Sequence, residues 1–274
     1  MSEIRKLETF TPARVGLART GASIGTAAQL EFQLDHALAR DAVHTRLDVA
    51  GVLAGVARLG LETLALRSAV EAGPGERQAY LRRPDLGRRL GASSATALQR
   101  NSLPPDLVFV LADGLSALAV ERHAVPLLSA VLSRLDPTCS IGPVCVVSQG
   151  RVAAADEIGE RLGARAVVML IGERPGLSAA DSMGVYITWE PQVGRTDAER
   201  NCISNVRGEG LGYVEAAEQI VWVLEAARRA GVTGVALGSV AASPTHRVTQ
   251  GRDEWDTRRY NLPGPRCGDP GLRR

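Results

Sequence analysis

Short apolar runs that alternate with helical segments dominate the second half of this 274-residue sequence. Three of these runs are rich in Val, Ile and Leu and stop at polar or glycine residues: DLVFVLADG (106–114), PVCVVSQG (143–150) and AVVMLIGE (166–173). Apolar strands that are connected through helices form βαβ units with a parallel sheet. The sequence therefore predicts a doubly wound, mainly parallel, Rossmann-like α/β domain over residues 104–240.

Further elements of this domain are predicted from local patterns. Two helical pieces, 115–121 and 125–135, should follow the first strand, because Pro126 is typical of the first turn of a helix. A helix is predicted over 152–165 and a further strand over 184–191. The segment YVEAAEQIVWVLEAARRAG is amphipathic at helical spacing and should end at Gly231.

The two ends of the chain have different patterns. Residues 1–103 are predicted to be an N-terminal arm followed by a helical region without a strand, since apolar residues recur at helical spacing over 26–43 and 49–69. The tail 241–274 contains four prolines and four glycines and has no periodicity. We expect this tail to be disordered and dispensable for assembly.

Composition and charge restrict the partners of the chain. The 32 basic and 30 acidic residues give a net charge of +2. This balance gives no indication of a nucleic-acid-binding protein, and no apolar run approaches the roughly 18 residues of a membrane span. The four cysteines contain no CxxC pair, and no secretory signal is recognisable. We therefore expect reduced thiols and a cytoplasmic protein.

Motifs for catalysis and for metal binding are missing from the sequence. The four histidines are scattered, no GxSxG motif is present, and the turn after the first strand, ADGLSA, lacks the dinucleotide fingerprint. We predict no catalytic residue and no metal ligand, which indicates a binding protein. The turn GEGLG (208–212) precedes a helix and could hold an anion, so a nucleotide-binding regulatory or structural subunit is the alternative.

Unusual residues follow each of the three strands. They are Asp113-Gly114, Gly150-Arg151-Val152 and the segment 172–176 with Glu173. Ligands of open parallel sheets bind beyond the carboxyl ends of the strands, so Glu173 could accept hydrogen bonds from a ligand there. Alternatively, Glu173 pairs with Arg174 or with loop amides and fixes the turn.

Five segments together resemble the light chain of ethanolamine ammonia-lyase over roughly residues 11–238. They are RPDLGRRL (83–90), DGLSALAV (113–120), GRVAAADEIGERLGAR (150–165), LIGERPGL (170–177) and DAERNCISNV (197–206). The resemblance implies an adenosylcobalamin-dependent enzyme that converts ethanolamine to acetaldehyde and ammonia. It also implies a TIM-barrel heavy chain that carries the radical chemistry, a light chain that closes over the corrin, and a trimer of dimers of heavy–light pairs.

The resemblance assigns three residues to the cofactor. Glu173 would accept hydrogen bonds from amide groups at the corrin edge, and Val152 would make an apolar or backbone contact. Cys202 would touch the cofactor without binding cobalt. For Val152 the alternative is that it simply begins the following helix.

Two expectations concern the lower ligand of cobalt and the location of the protein. Because no histidine is followed by glycine three residues later, the chain offers no lower ligand of the DxHxxG type, and base-on binding is expected. The short segment before Thr11 leaves packaging into a bacterial microcompartment open beside the cytoplasm. The tail after residue 238 extends past the usual end of the family.

Overall fold

A computed structural model describes residues 14–17, 19–98 and 103–240 of the chain. In this part a six-stranded mixed sheet is flanked by helices, which confirms the predicted α/β class and its mainly parallel, Rossmann-like sheet. The predicted disorder of the tail 241–274 lies outside the described residues.

Within the described residues up to 98, the elements are two short strands, one longer strand and five helices. In chain order they are β1 (Arg19–Thr20), β2 (Ser23–Ile24), α1 (Thr26–His44), α2 (Val49–Ala57), β3 (Thr63–Arg67), α3 (Glu76–Arg82), α4 (Pro84–Gly87) and α5 (Ala92–Ala97). Strands β1 and β2 form a separate antiparallel pair.

The elements after residue 103 form most of the sheet. In chain order they are β4 (Leu107–Ala112), α6 (Ala117–Leu132), β5 (Val144–Ser148), α7 (Ala154–Leu162), β6 (Ala166–Gly172), β7 (Met183–Trp189), a 3-10 turn (Asp197–Glu199), β8 (Asn201–Val206), α8 (Tyr213–Ala230) and α9 (Val235–Val240). The strand order is β3-β5-β4-β6-β7-β8. The first four strands in this order are parallel. Strand β7 pairs antiparallel with β6, and β8 pairs antiparallel with β7.

Both faces of the sheet are buried in the centre, as a doubly wound fold requires. On one face, side chains of α2, α6 and α8 pack against alternate residues of the strands, such as Phe109 and Leu170. On the other face, α7 contributes Ile158 and Leu162 to a second core with Met169. The alternation along each strand therefore divides its apolar residues between two cores.

The absence of a strand before residue 104 was a wrong prediction. Residues Thr63–Arg67 form β3 and pair in parallel with β5 at one edge of the sheet. The stretch 49–69 contains both a helix and this strand, because Gly60 adopts a left-handed φ of 80° and ends the helical path. The segment TLALR is rich in residues that favour helices, but pairing with β5 makes it a strand.

Two further predictions needed correction. The pieces 115–121 and 125–135 form the single helix α6, which continues through Pro126. Proline removes one backbone hydrogen bond, but Leu127, Leu128 and Val131 of this helix are fully buried, and their packing compensates for the loss. Strand β8 was not predicted, whereas the helix that was expected to end at Gly231 does end there, with a left-handed φ of 69°.

Gly159 of α7 offers a test of this packing. A Cβ at this position would lie 2.3 Å from Cγ of Pro191, so Gly159→Ala pushes the rigid ring of Pro191 away from α7. We expect the variant to unfold more easily, because overpacking costs about 1–3 kcal/mol while the gain in helix propensity is about 1 kcal/mol.

Urea denaturation of the chain measures this difference. Gly238→Ala in α9 is the matched control, since no atom lies within 4 Å of its Cβ position, and it should be neutral or slightly stabilising. A Gly159→Ala variant as stable as the control would contradict the close approach of α7 to Pro191.

Candidate functional site

The carboxyl ends of β4, β5 and β6 meet at one edge of the sheet. After β4 the chain passes to β5 on one side, and after β5 it crosses to β6 on the other side. In doubly wound sheets a ligand crevice forms where the connections diverge in this way. A depression of about 310 Å³ lies at this point, lined by Gly114, Leu115, Arg151, Val152, Ile171, Gly172, Glu173, Arg174 and Tyr186.

Three donors hold the carboxylate of Glu173, one just before β7 and two in β8. The hydroxyl groups of Ser182 and Ser204 donate to Oε2 and Oε1, respectively, and the backbone N–H of Asn205 donates to Oε2 at 3.2 Å. A carboxylate has about four acceptor positions, so roughly one remains for a ligand. Glu173 is thus a fixed acceptor at the edge of the sheet.

The pair between Glu173 and Arg174, which was one of the alternatives for this carboxylate, does not form. Within the described ranges no ion pair joins the two residues, and Arg174 is exposed. The other alternative, in which backbone amides hold Glu173, is correct in part, since the N–H of Asn205 donates to its carboxylate. Gly184 makes this arrangement possible, because a Cβ there would lie 3.0 Å from Oε1 of Glu173. No local sequence pattern points to these partners, which lie just before β7 and in β8.

The face of the sheet that carries Glu173 is uncovered over β7 and β8. Tyr186 is half-buried and lies opposite Cys202 in the ladder, and both Cys202 and Ser204 are exposed. Helix α7 packs on the same side of the sheet, but over β6. We call the surface formed by Glu173, Tyr186, Cys202 and Ser204 the open face.

Cys202 is a neutral group on the open face. Desolvation raises the pKa of its thiol, and the charge of Glu173 acts in the same direction, while a hydrogen bond with Tyr186 lowers it. Burial, together with Cys202, raises the pKa of Tyr186 to about 12. Both side chains therefore stay protonated at neutral pH and can make only neutral contacts.

Val152 lies beside the open face. Its carbonyl accepts a hydrogen bond from the N–H of Ala155 at 3.1 Å, so it does lead into α7, as the alternative for this residue assumed. Its half-buried side chain packs on the second core and lines the same depression as Glu173. The structure thus brings Val152 and Glu173 together, and Cys202 follows on the adjoining open face.

A buried ion pair fixes the loops under the depression. Arg77 of α3 donates to Asp113 at 3.1 Å, to Oε1 of Gln149 at 3.0 Å and to the carbonyl of Gly114 at 3.1 Å. Burial raises the pKa of Asp113 to about 6, although the charge of Arg77 lowers it, so the carboxylate is mainly ionised at neutral pH. A helix from the N-terminal region therefore holds the loops after β4 and β5 in place.

Arg77→Met tests the importance of this pair. The side chains of Arg77 and Asp113 are 4% and 1% exposed, so the variant would leave a buried carboxylate without its cation. We expect a loss of about 3–5 kcal/mol in the free energy of unfolding. Chemical denaturation measures it against Arg82→Met, an exposed position on the same helix with an expected effect under about 1 kcal/mol. Equal stabilities of the two variants would show that the pair is unimportant.

The glycine-rich turn does not favour the phosphate alternative. The N–H groups of Gly210 and Leu211 donate to carbonyl groups of the same loop, and the first turn of α8 carries the carboxylate of Glu215. The start of α6 is closed as well, since buried Ser116 accepts from the N–H of Ala119 and donates to the carbonyl of Ala180. Ser116 thus takes up an amide at the start of α6, and the negative charge of Glu215 disfavours an anion at the start of α8.

The described residues contain neither a cluster of metal ligands nor a long apolar helix. No group of three or more His, Cys, Asp or Glu side chains in them could hold a metal ion. His123 uses both ring nitrogens within the protein, at 2.8 Å from the hydroxyl of Tyr213 and 3.3 Å from Asp181. In the same part of the chain, none of the helices combines the length and the apolar character that crossing a membrane requires.

Comparison with known proteins places the chain in a family. The family model described as ethanolamine ammonia-lyase light chain (EutC) matches residues 1–238. The ethanolamine ammonia-lyase small subunit of Azotobacter vinelandii is 53% identical over 238 residues, which covers 85% of this chain and 87% of the relative. The ethanolamine ammonia-lyase small subunit of Pseudomonas syringae pv. tomato is 49% identical over 271 residues, which covers 95% of this chain and 92% of the relative. The chain therefore belongs to the ethanolamine ammonia-lyase light-chain family, a family of lyase subunits.

Proposed function

We propose that this chain is the small subunit of an adenosylcobalamin-dependent ethanolamine ammonia-lyase in the cytoplasm. In this proposal the depression and the open face cover the cofactor where the chain meets a TIM-barrel heavy chain, within a trimer of dimers of heavy–light pairs. Family membership supports the reaction and the need for a large subunit. One observation supports this location of the cofactor site. Val152 and Glu173 line the depression, and Cys202 lies on the adjoining open face.

The chemistry of this surface fits cobalamin. The corrin is a flat ring with carboxamide groups at its rim, so it needs apolar contact and hydrogen-bond acceptors in one place. Val152 offers the apolar contact, Glu173 has about one free acceptor position, and neutral Cys202 adds no charge. A hydrogen bond from an amide to this fixed carboxylate would contribute about 1.5–3 kcal/mol.

Base-on binding remains part of the proposal. Within the described residues, His36 and His44 belong to α1 and His123 to α6, so none of these histidines lies on the open face. The lower ligand of cobalt would then come from the cofactor itself. When bound, the cofactor supplies the radical chemistry, while the residues of this chain bind its rim and keep water from that side.

Glu173 gives the most specific test of the site. Glu173→Ala removes the acceptor, so we expect the affinity for cobalamin of the reconstituted heavy–light complex to fall about tenfold or more, since about 1.4 kcal/mol is a factor of ten. Glu173→Gln keeps one acceptor and should weaken binding less. A cobalamin titration, normalised to assembled complex, measures both effects, and Glu209→Ala at an exposed loop position is the control.

The bonds of Glu173 determine how the result is interpreted. Because Ser182, Ser204 and Asn205 all donate to this carboxylate, both substitutions should also lower the melting temperature of the light chain. The melting temperature alone therefore does not distinguish a cofactor-binding role of Glu173 from a structural role. Unchanged affinity per assembled complex beside a lowered melting temperature would leave Glu173 as a purely structural residue.

We also expect the isolated chain to lack ammonia-lyase activity. The open face presents a carboxylate that is already bonded, a neutral thiol and a phenol with a pKa of about 12, so it offers no group suited to proton transfer near neutral pH. Acetaldehyde release from ethanolamine with adenosylcobalamin measures this activity. The chain combined with its heavy chain is the positive control, and acetaldehyde from the light chain alone would contradict the assignment of catalysis to the partner.

A further inference from the structure

We propose that Arg151 is a further cofactor-binding residue, which donates hydrogen bonds to an acceptor oxygen at the periphery of cobalamin. The proposal rests on the proposed function. It adds a fixed cation to a site in which the family resemblance names only an apolar, an acidic and a thiol side chain. Arg151 precedes Val152 and lines the same depression as Glu173.

The position of Arg151 is fixed from two sides. Its backbone N–H donates to the carbonyl of Gly87 at 2.8 Å. Its guanidinium carbon lies 4.4 Å from the ring centroid of Tyr80, which is a cation–π contact. Tyr80 is itself fully buried, and its hydroxyl donates to the carbonyl of Gly150 at 2.9 Å. The cation is therefore preorganised before any ligand arrives.

The donors of Arg151 are not used within the chain. Over the described ranges Arg151 forms no ion pair, its side chain donates no hydrogen bond, and its buried Nε has no partner. Arg77, which lies 4.8 Å from the same ring, donates to four acceptors. Since one arginine beside Tyr80 is satisfied and the other is not, the unused donors of Arg151 point to a partner from outside the chain.

Gly87 makes room for this arginine. A Cβ at Gly87 would lie 2.8 Å from Cγ of Arg151 and 2.8 Å from Cε2 of Tyr80. The glycine of the RPDLGRRL segment therefore lets the stem of Arg151 and the ring of Tyr80 pack together. The segment 83–90 thus takes part in shaping the depression, although it comes about 60 residues earlier in the chain.

The two charged residues of the depression offer complementary groups. Glu173 can accept a hydrogen bond, whereas Arg151 can only donate, through up to four N–H groups on its two terminal nitrogens. A carboxamide has both an N–H donor and a carbonyl acceptor, and cobalamin also carries a phosphodiester in its nucleotide loop. The chemistry that Arg151 would recognise is thus an acceptor oxygen, from a carboxamide carbonyl or from the phosphodiester.

The test uses the reconstituted heavy–light complex with wild-type light chain, Arg151→Met, Arg151→Lys and Arg88→Met. Met keeps an unbranched stem beside Tyr80 but removes the donors, and Lys keeps the charge without the planar fork. Arg88 is an exposed arginine of the same segment and serves as the control. Each complex is titrated with cobalamin and with cobinamide, which lacks the phosphodiester, and affinity is normalised to the heavy chain that co-elutes.

We expect Arg151→Met to raise the Kd for cobalamin about tenfold, Arg151→Lys to raise it less, and Arg88→Met to leave it unchanged. A similar loss with cobinamide would assign the contact to a carboxamide carbonyl, and a loss with cobalamin alone would assign it to the phosphodiester. Unchanged affinity of both Arg151 variants, or an equal loss in Arg88→Met, would overturn the proposal. A wild-type complex that binds neither corrinoid would instead refute the proposed function itself.

Discussion

The meeting of three parallel strand ends at one edge is the constraint on which the site depends. Because β5, β4 and β6 run in the same direction, the turns that follow them are neighbours in space, although they are about 35 and 60 residues apart. The buried pair of Arg77 and Asp113, with the further bonds of Arg77 to Gln149 and Gly114, holds the turns after β4 and β5 in place. With these turns held, Val152 and Glu173 line one depression and leave the adjoining face of β7 and β8 open.

The same carboxylate supports the fold and offers a binding position. Glu173 joins the end of β6 to β7 and β8 through the two serine hydroxyls and one amide, and this restricts it to one orientation. A group held in this way loses little freedom when a ligand arrives, so more of each new hydrogen bond contributes to affinity. Arg151 beside Tyr80 follows the same principle with the opposite charge.

Local patterns were sufficient for much of the fold and for only part of the site. The strands β4, β5 and β6 were predicted because they are uninterrupted apolar runs, whereas β3 was missed because pairing with β5 overrides its helical composition. Glu173 was recognised from its place after a strand. Ser182, Ser204 and Arg77 were missed, because their partners lie 9, 31 and 36 residues away and only the folded sheet brings them together.

The most direct test of the central claim is a cryo-electron microscopy map of the reconstituted heavy–light complex with cobalamin bound. We predict that the corrin lies over the depression, with a rim carboxamide within about 3 Å of Glu173 and the ring close to Val152 and Cys202. Density for the corrin elsewhere on the light chain, such as at the opposite end of the sheet beside Trp189 and Arg165, would contradict it. A corrin enclosed by the heavy chain alone would contradict it as well.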